Sequence, residues 1–454
     1  MFRNNYTIFF VLLAMVLSLG SCKKWVDVNP PMQVGQDELF STEKGFKEII
    51  NGVYLQMGGQ STYGRDLNLG LLSVMGRSYD TTITPDIGNL FYQGARYNLQ
   101  DADVKATSKN IWEGLYFSIG NLNNLLSNID ASQKVFTEGN YHTIKGEALG
   151  LRAFLHFDLV RLFAPSPAAS GLNTPAIPYV TKMSPYASPV ATTGAVIDSC
   201  IADLVNAESL LSTTDRTTSR FTIWAAKGLL ARIYLYKGDL VNAQKYALEI
   251  INSKKFLLAT SNSDLMFTKE HLFSIFSSAN FATSYNSSVL TKNPPLGLTT
   301  ANQTALFLTG SGATTDWRRA GAFVDPTTGT AIGNTISPKK FYSFNQASVN
   351  TVPLIRTTEM YYIAAEAANA LKDSLTATTL LDTVRVHRNL LKYTQTALRR
   401  DSINIEIAKE YQKEFLGEGQ VFYFYKRKNL PFSSLPYTKV PVVPNASYVF
   451  IKPE

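Results

Sequence analysis

Residues 222–251, TIWAAKGLLARIYLYKGDLVNAQKYALEII, leave a chain of this kind little freedom. Apolar residues recur at helical spacing on both sides of Gly238-Asp239, and Leu230, Ala231, Tyr234, Ala243 and Ala247 fall where two antiparallel helices would touch. Small side chains let helix backbones approach closely, Gly238 makes the turn, and Asp239 is placed to cap the second helix. A second copy lies near the C-terminus. Ala365 and Ala368 precede Ala377, Leu381 and Val384, and the step from Ala365 to Ala377 repeats the one from Ala231 to Ala243.

The spacing is that of a tetratricopeptide repeat, although two degenerate copies so far apart do not predict a regular solenoid. Further helices are expected. One starts at Ser41 as N-cap, carries Phe46, Ile49, Ile50, Val53, Tyr54 and Met57, and stops at Gly58-Gly59. Others cover 110–129, 141–163 (ended by Pro165), the segment around Cys200, and 402–416 (ended by Gly417). Residues 60–108 are less periodic, 164–192 read as a long ordered loop, and 260–352 lack sustained periodicity and read as long loops with a few short strands. The expected fold is mainly α: tetratricopeptide-like helix pairs as scaffold, long irregular loops, one large domain over 41–454. Its N-terminal part would be about 41–215 and its C-terminal part about 260–454.

The N-terminus decides the compartment. Arg3 precedes an apolar run from Ile8 to Leu19, too short for a span of roughly 20 apolar residues. Leu19-Gly20-Ser21-Cys22 then reads as a lipobox, so residues 1–21 are a signal peptide, Cys22 is lipidated, and 22–40 is a tether containing Pro30-Pro31. With Cys22 modified, Cys200 has no intramolecular partner, which excludes a disulfide or a cysteine-based metal site. The formal net charge of +8 is scattered, without basic runs interleaved with aromatics, and this argues against nucleic acid as a partner.

Four segments carry a resemblance to a known family. They are CKKWVDVNPPMQVGQDELFSTEKGFKEIINGVYLQM, GEALGLRAFLHFDLVRLFAPSP, the repeat around AAKGLLARIYLYKGD, and the pair LIRTTEMYYIAAEAANA and EYQKEFLGEGQVFYFYKR. In this order they resemble the SusD/RagB outer-membrane lipoproteins of Bacteroidetes-type bacteria. The resemblance implies a helical nutrient-binding protein, lipid-anchored in the outer membrane and exposed at the cell surface. It would seat on a SusC-like TonB-dependent transporter barrel and deliver a glycan or a peptide. It implies neither catalysis nor a cofactor. Two departures stand out. Val421 and Phe424 occupy positions where the family often has Arg and Asp, and Lys23-Lys24 follow the anchor where acidic residues are usual.

Chemistry was sought in the residues themselves. His142, His156, His271 and His387 form no helical metal pair, and neither a Gly-x-Ser-x-Gly elbow nor a phosphate-binding loop is present. Glu410, Glu414 and Glu418 could imitate a glycosidase acid/base pair. Lys409, Lys413, Arg356 and Arg427 are their candidate partners in a structural charge network, the reading favoured here. Sugar binding needs aromatic faces and polar side chains on loops. Candidate ligand contacts are Tyr63, Tyr79, Asp80, Tyr92 and Tyr97 in the first irregular region, with Trp317, Arg318 and Arg319 in the second. Arg65, Tyr285 and Asp316 are further possibilities. The rival functional class is a structural adaptor in an outer-membrane complex, since tetratricopeptide-like pairs serve protein contacts.

Overall fold

The computed structural model describes residues 35–79, 89–184, 186–261, 263–264, 266–277, 297–307, 316–324, 335–338, 350–436 and 440–453. Cys22, Asp80 and Tyr285 lie outside these residues.

Helix α1 (Glu43–Met57) starts one residue later than expected, with Thr42 as N-cap accepting from the Gly45 N–H at 3.2 Å. It buries Phe46, Ile50, Val53 and Met57. A short α2 (Leu71–Met75) follows. Helix α3 (Ala102–Ile129) begins about two turns before the expected start at residue 110, because Asp101 caps it through the Asp103 and Val104 N–H groups and Val104 is already buried. Helix α4 (Asn140–Phe163) is buried on every face over most of its length. Such a helix must be the centre of the core rather than its rim.

The stretch 164–192 is not wholly a loop. It contains strands β1 (Pro175–Pro178) and β2 (Val190–Thr192), paired antiparallel. Helix α5 (Thr193–Leu210) follows, capped by Thr192, and buries Cys200. Helices α6 (Ile223–Lys237) and α7 (Leu240–Ser253) form the first repeat. Gly238 turns at φ +90°, where a Cβ would be strained, and Asp239 accepts from the Asn242 N–H at 3.1 Å.

Strand β3 (His271–Phe276) pairs antiparallel with the later β4 (Thr351–Arg356), with Ile275 opposite Val352. Between them lie α8 (Trp317–Ala322) and a small sheet ordered 298–299, 335–338, 323–324. Helices α9 (Thr357–Ala370) and α10 (Ser374–His387) form the second repeat. Helices α11 (Arg400–Glu414) and α12 (Gln420–Arg427) close the fold.

The helices succeed one another in space: α1 on α3, α3 on α4, α4 on α5, α5 on α6, α6 on α7, and then α7 directly on α9. The two repeat copies are therefore neighbours despite the long insertion between them. Ala231, Ala243, Ala247, Ala365, Ala368 and Ala377 are all fully buried, as close helix contact requires. The main hydrophobic cluster runs from Phe40 to Phe450, with a small second one at Leu298, Leu306, Phe307 and Leu416, and the structure is mainly helical and a single domain.

The segment 58–79 departs from expectation most. It is a succession of tight turns sunk into the core, not a ligand-facing loop. Some of its polar groups find partners locally: the Thr62 hydroxyl donates to Met57 O at 2.7 Å, and the Tyr79 hydroxyl to Leu69 O at 2.9 Å. The 417–419 turn fastens it, with Gly417 N donating to Ser78 Oγ and Gly419 N to Ser73 Oγ, both at 3.1 Å. Gly419 has φ +72°, and a Cβ there would lie 2.6 Å from Leu67 O.

Candidate functional site

The charged residues with the most unusual surroundings lie inside the protein, where β3, α8, β4, α10 and α11 meet. The Arg356 guanidinium, at the end of β4, reaches Glu270 (3.1 Å), Glu414 (2.7 Å) and Glu418 (3.1 Å). Arg388, just past α10, reaches Glu270 (2.7 Å) and Glu414 (2.8 Å). Arg318 on α8 reaches Asp316 (2.8 Å), Glu410 and Glu414 (both 2.9 Å), and Lys413 pairs with Glu410 at 3.1 Å. All are buried. The Thr358 hydroxyl donates to Glu270, and the Tyr362 hydroxyl to Glu410 at 3.1 Å.

This geometry decides what the Glu410-Glu414-Glu418 ladder does. Burial alone would raise the Glu414 pKa, but Arg388, Arg356 and Arg318 outweigh it and hold the carboxyl well below its usual range. Glu410 behaves alike: burial raises it, Arg318 and Lys413 lower it further, and it settles at about 2. A general acid must hold a proton near neutral pH, and these two do not. They are the structural charge network. The expected partners are partly corrected: Arg356 and Lys413 belong to it, whereas Lys409 pairs with Glu406 (3.1 Å) and Arg427 with Glu366 (2.7 Å). Glu359, likewise, serves Arg232 on α6 at 2.6 Å. Glu270 and Arg388 were not anticipated; with sequence separations of 118 and 26 from their partners, no local pattern marks them.

His156 is a core residue. Arg152 O faces its Nδ1 at 2.9 Å, and the Val180 N–H donates to its Nε2 at 3.0 Å, while Tyr179 stacks on the ring at 4.0 Å. A ring accepting at Nε2 is neutral, and burial lowers its pKa to about 3. Among the described residues no group of three His, Cys, Asp or Glu side chains could hold a metal ion. Val421 and Phe424 are buried among apolar neighbours, as their replacement of a charged pair suggests.

The candidate ligand contacts divide sharply. Tyr63, Tyr79 and Tyr97 are core residues and are withdrawn as ligand contacts. Tyr63 donates to Asp158 at 2.7 Å, and Tyr97 donates to Met75 O and packs on Phe432 and Tyr448. Arg318 is withdrawn too, since Asp316, Glu410 and Glu414 occupy its donors. Trp317 is half-buried: its Nε1 donates to His387 O at 2.9 Å, and its ring meets Phe267 (5.6 Å) and the Arg388 guanidinium (5.2 Å). It anchors the start of α8 to the scaffold. Arg319 and Tyr92 keep partial exposure, with Arg96 lying 5.4 Å over the Tyr92 ring. Arg65 is paired with the buried Asp66 at 2.8 Å.

Comparison with known proteins agrees with this architecture. Residues 24–235 match the SusD-like family described as starch-binding associating with outer membrane, and residues 325–433 match the SusD family. SusD-like protein P2 of Formosa agariphila is 27% identical over 241 residues, 52% of this chain and 44% of that protein. A second SusD-like protein of the same organism is 23% identical over 35% of the chain and 30% of its own length. The match thus spans less than half of these curated relatives. A SusD superfamily structure from Bacteroides thetaiotaomicron superposes with TM-score 0.68 at 23% identity, covering 85% of this chain and 89% of that one. A SusD-like carbohydrate binding protein from Bacteroides vulgatus gives 0.69 at 19% identity, covering 85% and 83%. The chain belongs to the SusD/RagB family.

Proposed function

We propose that the protein is a non-catalytic nutrient-binding lipoprotein of the outer membrane, anchored through Cys22, that captures an oligosaccharide or peptide and hands it to a SusC-like TonB-dependent transporter. The observation that carries this reading is the family match in both halves of the chain, at 24–235 and 325–433. The ionised, sealed state of Glu410 and Glu414 supports it by removing the most plausible acid/base pair. Among the described residues no helix is long and apolar enough to cross a membrane, so attachment would fall to the lipid. Ligand contact is assigned to Trp317, Arg319 and Tyr92, which keep exposed surface, and to Asp80. Malto-oligosaccharides are the first ligands to try, because the family description names starch.

The test is purification from the native membrane in mild detergent. A large β-barrel transporter should copurify, and Cys22→Ala should release the protein from the membrane fraction. Isolation as a lone monomer in several detergents, with membrane attachment unchanged in Cys22→Ala, would overturn the reading.

A further inference from the structure

A cleft of about 480 Å³ lies between the loop after α4, the residues following α12, and the C-terminal tail. It is lined by Ser166, Ala169, Lys426, Pro431, Phe432 and Tyr448, all remote in sequence from the irregular regions at 60–108 and 260–352. Its size is that of an ordinary small-molecule site. Three features distinguish it from a surface crevice.

The first is Lys426. Its side chain is almost completely buried, yet among the described residues no carboxylate pairs with it. Buried ammonium groups are normally neutralised by a partner. The Nζ donates to Leu162 O at 2.8 Å, near the C-terminal end of α4, where a cation is favoured. That contact uses one of its three N–H groups. Burial, reinforced by Arg161 nearby, holds its pKa well below the ordinary lysine range. Arg161 itself is satisfied by Asp158.

The second feature is Ser166. Its hydroxyl is buried, belongs to a residue that also lines the cleft, and has no partner among the described residues. An unpaired buried hydroxyl is unfavourable unless something reaches it. The third is apolar: Phe432, half-buried, stacks on Tyr448 at 4.5 Å and 22°, and Tyr448 is fixed by its hydroxyl donating to Leu430 O at 2.9 Å. The cleft lining thus combines a fixed aromatic pair, one unpaired buried hydroxyl and a buried amine with a single acceptor.

We infer that this cleft binds a small ring-shaped ligand bearing a carboxylate, with the chemistry of an acidic sugar. The carboxylate would take the free N–H groups of Lys426, a ligand hydroxyl would meet Ser166, and the ring's apolar face would lie on Phe432. The site is separate from the glycan contacts proposed above and stands or falls independently of them.

Glucuronate is the probe and glucose the neutral control, titrated calorimetrically into the full-length protein. The wild type should bind glucuronate, with glucose at least tenfold weaker. Lys426→Met, which retains length and apolar packing, should lose at least tenfold in glucuronate affinity. Ala169→Trp, which fills the cleft from its exposed rim and leaves Lys426 and α4 unchanged in sequence, should abolish binding while leaving the melting midpoint in place. It therefore decides the matter even if Lys426→Met does not fold. Absence of glucuronate binding, equal binding of glucose, or binding untouched by Ala169→Trp would each overturn the inference. In that case Lys426 is only a clamp on the end of α4.

Discussion

Replacing Glu414 by Gln keeps its shape and removes its charge. In the wild type its carboxylate accepts from Arg356 Nη1 (2.7 Å), Arg388 Nη2 (2.8 Å), Arg318 Nη1 (2.9 Å) and Arg388 Nε (3.1 Å). At about 2.8 Å and an effective dielectric near 20, each guanidinium contributes roughly 6 kcal/mol of attraction, most of it offset by desolvation. The neutral amide leaves three desolvated guanidiniums in place and presents an NH₂ group to two of them, since each carboxylate oxygen accepts from two arginines. Breaking a buried pair from one side typically costs about 3–5 kcal/mol, and that loss is expected here. Equilibrium unfolding in urea, followed by tryptophan fluorescence, measures it. Lys44→Ala, which removes an exposed i,i+4 pair with Glu48 at 3.5 Å, is the control and should be indistinguishable from wild type. A contrary mechanism makes the opposite forecast. The cluster holds five carboxylates (Glu270, Asp316, Glu410, Glu414, Glu418) against four cations (Arg318, Arg356, Arg388, Lys413). If bulk charge balance governed stability, Glu414→Gln would be neutral or stabilising. A loss below about 1 kcal/mol would refute the geometric argument, since buried pairs broken from one side lose several times that.

Three further outcomes are expected. His156, neutral when folded with a pKa of about 3 against 6.5 unfolded, binds its proton only on unfolding between those values, so stability is full above pH 6.5 and falls with acidity. His156→Gln should flatten the pH slope between 6.5 and 4.5 by about 1.4 kcal/mol per pH unit, and an unchanged slope rules His156 out. Glu366 and Glu410, both depressed to about 2, contribute above pH 4.5 and lose that contribution as pH falls from 4.5 towards 2; circular dichroism should place acid unfolding in that window, and a fold intact at pH 2 contradicts it. Ala231→Leu should overpack the α6–α7 contact and destabilise by about 1–3 kcal/mol, whereas an unaltered melting curve would mean the pair has slack.

The helical scaffold was legible because its burial follows a period. Phe46, Ile50, Val53 and Met57 mark one face of α1, and the matched alanines mark both repeats, including their close contact. The interior loops were not legible for the same reason. Between Gly58 and Tyr79 the chain is buried without periodicity, satisfied by single contacts such as Thr62 with Met57 O, and polar turn-rich sequence reads as surface. Tyr63 and Tyr79 in this segment, and Tyr97 beyond it, therefore read as ligand contacts in the sequence although they are buried. The Glu410-Glu414-Glu418 ladder was recognisable as a network by its spacing. Its extent was not, because Glu270 and Arg388 join it only through the tertiary fold. Trp317 shows the limit of residue type as a guide: a large aromatic followed by two arginines suits a sugar platform, but residue type does not tell that its indole N–H is also tied to His387 O while part of the ring stays exposed.

The buried ion cluster also sets an order of assembly. Three of its bonds join residues 86, 92 and 118 positions apart, so each of these must close a large loop before it returns any stabilisation. Helices α3 to α7 meet neighbours close in sequence and can form early, while the cluster condenses only when 270, 316–318, 356, 388 and 410–418 have converged. Until then its nine charges remain hydrated, and the unfinished C-terminal half stays water-soluble rather than sticky.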